Sequence, residues 1–122
     1  MRPTWDDNTP IYRQLKDRVL EMILDGELAD GDALPSVRTV AAEYQLNPLT
    51  VMKGYQELVD DGLIEKQRGK GMFVMHGARE RLLRSERQRF VNEEWPRIRA
   101  TIDRLGLDMN QLAAGSAAPE KT

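Results

Sequence analysis

The chain has no cysteine, a single histidine and seven aromatic residues among 122, and its net charge is −2 rather than strongly positive. Without cysteine there can be no disulfide framework and no thiolate metal site, a composition that suits a reducing compartment. The lone histidine, His76, has no acid–nucleophile set near it in the sequence, and no cluster with metal-ligand spacing exists, so catalysis and a metal cofactor both lack material. No apolar run approaches the ~20 residues needed to cross a bilayer. The N-terminus carries Asp6 and Asp7 and no apolar signal segment. The expectation is a soluble, cytoplasmic chain with no cofactor, no catalytic residues and no membrane partner, long enough for one compact domain with extensions.

What is present is unevenly spread. Residues 1–35 carry four Lys/Arg against eight Asp/Glu, residues 36–75 five of each, and residues 76–105 eight arginines against five acids. Within the balanced middle, Lys66, Arg68 and Lys70 crowd around Gly69 and Gly71. A local basic tip can meet phosphates even on an acidic protein.

Helical periodicity starts after Thr9-Pro10, with Thr9 as the expected N-cap and proline at the first helical position. Ile11, Leu15, Val19, Met22 and Ile23 follow at helical spacing up to Gly26, a left-handed stop. The loop GELADGDALP should turn Leu28 and Leu34 inward. Ser36 caps a short second helix with the stripe Val37, Val40, Ala41, Tyr44. A tight turn over Gln45, Leu46 and Asn47 leads to a third helix, in which Asn47 is the cap and Pro48 the first residue. Val51, Tyr55 and Leu58 are its core face, and mid-helix Gly54 reads as a close-packing point against the second helix. Two strands near Leu63–Gln67 and Met72–Met75, joined by RGKG, form a hairpin. From Ala78 to about Leu105 the chain is helical and arginine-rich, with Pro96 expected to interrupt it by freeing the carbonyl of Asn92. Gly106 is a stop, and a turn or two of helix follows over Asp108–Ala114.

Three helices with a tight turn between the last two, then a basic-tipped hairpin, predict a mainly α fold with a small β-hairpin. It is a winged helix-turn-helix domain over 1–76, followed by a short α-helical dimerisation region over 77–114 and a disordered tail over 115–122. In such a fold the third helix lies in the major groove. Its face opposite the core carries Leu49, Met52, Lys53 and Gln56. Leucine packs on a thymine methyl, lysine bonds guanine acceptors or a phosphate, and glutamine pairs with adenine. The alternative is that the apolar pair packs on a neighbouring segment while Lys53 and Gln56 are merely solvated. At the start of the second helix, Ser36, Arg38 and Thr39 suit a phosphate oxygen, and Arg38 can instead reach a guanine. At the wing, Arg68 and Lys70 flank Gly69, so the backbone can come close to DNA. RGKGM lacks the spacing of a nucleotide-binding loop.

PIYRQLKDRVLEMILDGEL, LPSVR, NPLTVMKGYQELVDDGLI and RGKGMFV, in that order over residues 10–74, resemble the GntR family of bacterial transcription regulators. PIYRQL, the NP–TV pattern and a tail of about 45 residues are similar to its YtrA subfamily. The resemblance implies a homodimeric repressor on an inverted-repeat operator in double-stranded DNA, often controlling neighbouring ABC-transporter or envelope-stress genes. It places DNA contacts on Ser36, Arg38, Asn47, Thr50, Lys53, Arg68, Gly69, Lys70 and Gly71. Leu49 stands where the family usually has asparagine, which replaces a polar reader with an apolar one. A tail of that length holds neither the ligand-binding nor the aminotransferase-like domain of larger relatives, and the sequence names no small-molecule effector. Its apolar face (Leu83, Phe90, Trp95, Ile98, Ile102) has little of its own chain to pack on, so a partner subunit is the natural cover. A winged-helix module for protein or RNA, without a DNA operator, is the rival reading.

Overall fold

The computed structural model describes Trp5 and residues 7–115; the expected disorder of the tail falls, from residue 116 on, outside the described residues. Elements run in the order α1 (Ile11–Leu24), α2 (Val37–Tyr44), α3 (Pro48–Asp60), β1 (Ile64–Gln67), β2 (Gly71–Val74), α4 (Ala78–Arg89), a π-helical segment (Phe90–Glu94), α5 (Trp95–Leu105) and α6 (Met109–Ala113). This is the winged helix-turn-helix order with helices after it. The chain divides into two compact units, the first ending at Leu83 and the second beginning at Arg84.

Local chemistry sets most boundaries of the first unit. Ser36 Oγ accepts the Thr39 N–H at 3.0 Å and caps α2, and Asn47 Oδ1 accepts the Leu49 N–H at 2.8 Å and caps α3. Gln45 takes a left-handed conformation (φ 56°) to end α2, the one non-glycine residue with positive φ among those described. Pro48 therefore starts α3 instead of breaking it. One cap differs from expectation. Pro10, not Thr9, occupies the N-cap of α1, because its backbone is extended (ψ 142°). The Pro10 carbonyl accepts from the N–H groups of Arg13 and Gln14, while the Thr9 carbonyl takes the Gln14 side chain at 2.7 Å.

One apolar cluster holds the unit together. Leu15, Val19 and Ile23 of α1 meet Val40 and Ala41 of α2, Val51, Tyr55 and Leu58 of α3, and Ile64, Met72 and Val74 of the hairpin. Leu28 and Leu34 are buried as the loop pattern requires. Burying each large side chain contributes roughly 1.5–3 kcal/mol. The hairpin pairs Ile64 with Val74 and Gln67 with Gly71, antiparallel. The loop before α2 adds a partial third rung that the sequence did not suggest. Leu34 N–H donates to the Met72 carbonyl and Val74 N–H to the Asp32 carbonyl, both at 2.8 Å.

Gly54 is a close-packing point, but against α1 and not α2. A Cβ placed there would lie 2.9 Å from the Tyr12 carbonyl oxygen and 3.6 Å from Leu15. Lys16 fixes the same two helices in register through Asp61 at 2.8 Å and Glu57 at 3.4 Å. These bonds, that to Asp61 foremost, raise the Lys16 pKa against the opposing effect of burial.

The first turns of α4 belong to this core as well, since Ala78 and Leu82 are buried in it. Two of the arginines there are helix caps: the Arg79 guanidinium donates twice to the Leu24 carbonyl at the end of α1, and Arg81 donates to the Gly62 carbonyl after α3. In the second unit, Pro96 sits at the start of α5, where a missing N–H is harmless. The expected interruption takes the form of the π-helical segment, in which the Trp95 N–H reaches back five residues to the Phe90 carbonyl. Arg89 spans the segment, bonded to Glu86 at 2.6 Å and Glu94 at 2.8 Å. Gly106 ends α5 and Asp108 caps α6.

Candidate nucleic-acid interface

Helix α3 has two faces of opposite character. Val51, Tyr55 and Leu58 are buried on one side; on the other Leu49 is 76 % exposed and Met52 39 % exposed. Lys53 and Gln56 share that outer face, and Thr50 is half-buried at its edge. An apolar residue left at such exposure on a capped, well-packed helix is a surface awaiting a cover. Gln56 is not idle: its side-chain N–H donates to Asp60 at 3.0 Å, which holds the amide against its own helix. The Lys53 ammonium lies 4.2 Å from the centre of the Tyr12 ring.

Ser36 comes together with the wing. Ser36, Val37, Lys66, Gly69, Lys70 and Gly71 line one cleft of about 330 Å³, floored by Leu34, Tyr55 and Met72. Tyr55 ties the parts: its hydroxyl donates to the Pro35 carbonyl at 2.8 Å, so α3 anchors the residue before the cap of α2. Burial first, and Tyr44 second, push the Tyr55 pKa up to about 12, so the donor stays protonated across the physiological range. The Ser36 hydroxyl proton is already committed to Thr39 Oγ1 at 2.8 Å. An incoming phosphate oxygen therefore meets the Thr39 hydroxyl and the first N–H groups of α2 before it meets Ser36. Arg38 is exposed and lies beside Pro48 at the start of α3. Asn47 is exposed but spends its side-chain carbonyl on the cap. Arg68, Gly69 and Lys70 form the exposed turn, with Gly69 (φ 76°) and Gly71 (φ 120°) in conformations that favour glycine.

On the tail, Phe90 and Ile98 are exposed, Trp95 and Leu83 are half-buried, and Ile102 is already buried within the single chain. Phe90 and Trp95 stack at 6.5 Å between ring centres. Val91, Leu105, Leu107, Met109 and Leu112, which the helical pattern alone did not single out, are each at least 45 % exposed. Among the described residues no group of His, Cys, Asp or Glu could hold a metal ion, and no helix is long and apolar enough to cross a membrane.

An exposed reading helix, a capped turn before it and a basic, glycine-hinged wing define a winged-helix, DNA-binding transcriptional regulator. The family described as bacterial regulatory proteins of the gntR family matches residues 11–74, and the chain belongs to it. It is 33 % identical over 105 residues to the HTH-type transcriptional repressor YtrA of Bacillus subtilis, covering 86 % of this chain and 80 % of that one. A transcriptional regulator from Oenococcus oeni superposes with TM-score 0.72 at 30 % identity, over 93 % of this chain and 92 % of the other. YtrA from Sulfolobus acidocaldarius, a GntR-family transcription factor, is 38 % identical with TM-score 0.58, over 74 % and 95 % of the two chains. These likenesses set the chain with the YtrA subfamily and among regulators, not enzymes.

Proposed function

We propose that the chain is a homodimeric repressor that binds an inverted-repeat operator. In this reading α3 enters the major groove, the start of α2 and the wing hold phosphates, and the second unit joins two copies. The observation that carries it is the outer face of α3, where Leu49 and Met52 stand exposed between cationic groups on a helix whose other face is fully buried. Ser36, Arg38, Thr39, Asn47, Thr50, Arg68, Gly69, Lys70 and Gly71 position the duplex; Leu49, Lys53 and Gln56 are the candidate base readers. The exposed apolar residues of α5 and α6, with Phe90, support a helical dimer interface. The resemblance to YtrA-type regulators points to neighbouring transporter or envelope-stress genes as the regulated set.

The test is a titration of the DNA upstream of its own gene against random duplex at two salt concentrations. Each phosphate neutralised releases counterions, so affinity should fall by roughly 10³-fold or more between about 50 and 200 mM salt if six or more are engaged. Replacing Arg68 and Lys70 by alanine should weaken both duplexes alike and flatten the salt slope. No preference for the upstream DNA at any salt would sink the repressor reading.

A further inference from the structure

Tyr12 lies in the first turn of α1, outside every group of residues so far assigned to DNA. Its backbone carbonyl is where α1 comes closest to α3, at Gly54, the position where a Cβ would lie 2.9 Å away. Lys53 is the neighbour of Gly54 on the exposed side, so the same close approach sets the Tyr12 ring beside the lysine stem. The ammonium ends 4.2 Å from the ring centre. The Lys16 bridges to Glu57 and Asp61 lock this register from farther along both helices.

We infer that Tyr12 is the positioning residue for Lys53, holding its ammonium at the α1 edge of the reading helix, where it meets a backbone phosphate and not a base edge. The inference rests on the DNA-binding reading above and settles which of two roles Lys53 plays in it. Going around α3, Lys53 is the exposed residue nearest α1, while Met52 and Gln56 lie on the side away from Gly54. A lysine drawn toward α1 is drawn away from the centre of the groove-facing surface. An ammonium has three N–H donors, so one side against the ring leaves the others for phosphate oxygens. A free lysine gives up much rotamer freedom on binding, and a ring that already holds it removes part of that loss. A cation–π contact at an exposed site corresponds to about two- to fivefold in affinity.

The experiment combines variants at both positions with salt titrations on mixed-sequence duplex DNA, which suffices because a phosphate contact is indifferent to sequence. Lys53→Gln should lower the log–log salt slope by about 0.9, one phosphate's worth. Tyr12→Leu should weaken binding about two- to fivefold, Tyr12→Phe should bind as the unaltered protein does, and Tyr12→Leu should cost nothing further once Lys53 is glutamine. Proton NMR of the full chain supplies an independent reading: the ring current should shift the Lys53 ε-methylene upfield in the unaltered protein and in Tyr12→Phe, and not in Tyr12→Leu. An unshifted Lys53 in the unaltered protein overturns the proposal, as does a Tyr12→Leu penalty that persists in the Lys53→Gln background. Failure of the unaltered protein to bind any duplex would instead strike at the DNA-binding reading and make Lys53's phosphate role untenable, whatever the ring current shows.

Discussion

At the scale of single residues, the joint between the reading helix and the cap of α2 is the Tyr55 hydroxyl on the Pro35 carbonyl. A phenol whose pKa rises on folding is protonated more firmly in the native state than in the unfolded one. Its contribution is complete below about pH 10 and is lost as pH rises through about 12. Two pKa units correspond to about 2–3 kcal/mol. Lys16 shares the window, because its pKa is also raised and its bridges are lost as it deprotonates. Urea unfolding at about pH 8 and about pH 11 should show the native protein losing stability at the higher value, Tyr55→Phe losing distinctly less, and Tyr55→Phe with Lys16→Met least of all. At the lower pH the phenylalanine variant should cost only about 1 kcal/mol, the worth of one hydrogen bond. A Tyr55→Phe variant with the full alkaline loss would show that the hydroxyl does not bear on the joint.

At the scale of elements, Gly54 decides how near α1 and α3 can lie. Alanine would gain about 1 kcal/mol of helix propensity. Its methyl would also press on a backbone oxygen that cannot swing aside, and overpacking of that kind costs about 1–3 kcal/mol. The clash should dominate, so Gly54→Ala should lower the urea midpoint; a stabilised variant would mean the helices have slack. Much of this level was legible beforehand. Ser36, Asn47-Pro48, Gly62 and the RGKG turn act on backbone groups a few residues away, so their pattern in the sequence is already their chemistry. Which helix Gly54 approaches was not legible, because spacing marks the buried face of a helix and not its neighbour. The Tyr12–Lys53 contact, the commitment of Ser36 to Thr39 and the hold of Asp60 on Gln56 depend on rotamers that only packing selects. Thr9 lost the cap of α1 for a similar reason: the Gln14 side chain satisfies its carbonyl instead.

At the scale of the molecule, the two compact units suggest a division of labour between reading DNA and pairing copies. Ala78 and Leu82 lie in the first core, so a cut after Gly77 would damage the domain it was meant to isolate. A chain ending at Leu83 should stay folded and run as a monomer in sedimentation. On a full inverted repeat it should bind about 10²–10⁴-fold more weakly than the intact chain, because the second half-site contact is no longer intramolecular. On a single half-site the two should differ little. Trp95→Ala should shift the intact chain the same way, through the loss of its stacking on Phe90. A truncated chain that remained dimeric would move the interface into the first unit, with α1 the first surface to examine.

The π-helical segment before Pro96 carries one more residue in its turn than the helix on either side. It is a spare tooth in the gear. Removing Asn92 would let the segment close as an ordinary α-turn and would leave Arg89 and Glu94 four apart, a spacing at which they can still pair. Everything from Trp95 onward would then be turned by about 100° relative to the turn before it. A single codon lost or gained at this point re-aims the apolar face of α5 without breaking the helix that bears it. The segment is thus the place where a chain of this kind can change the copies it pairs with while its reading head stays as it is.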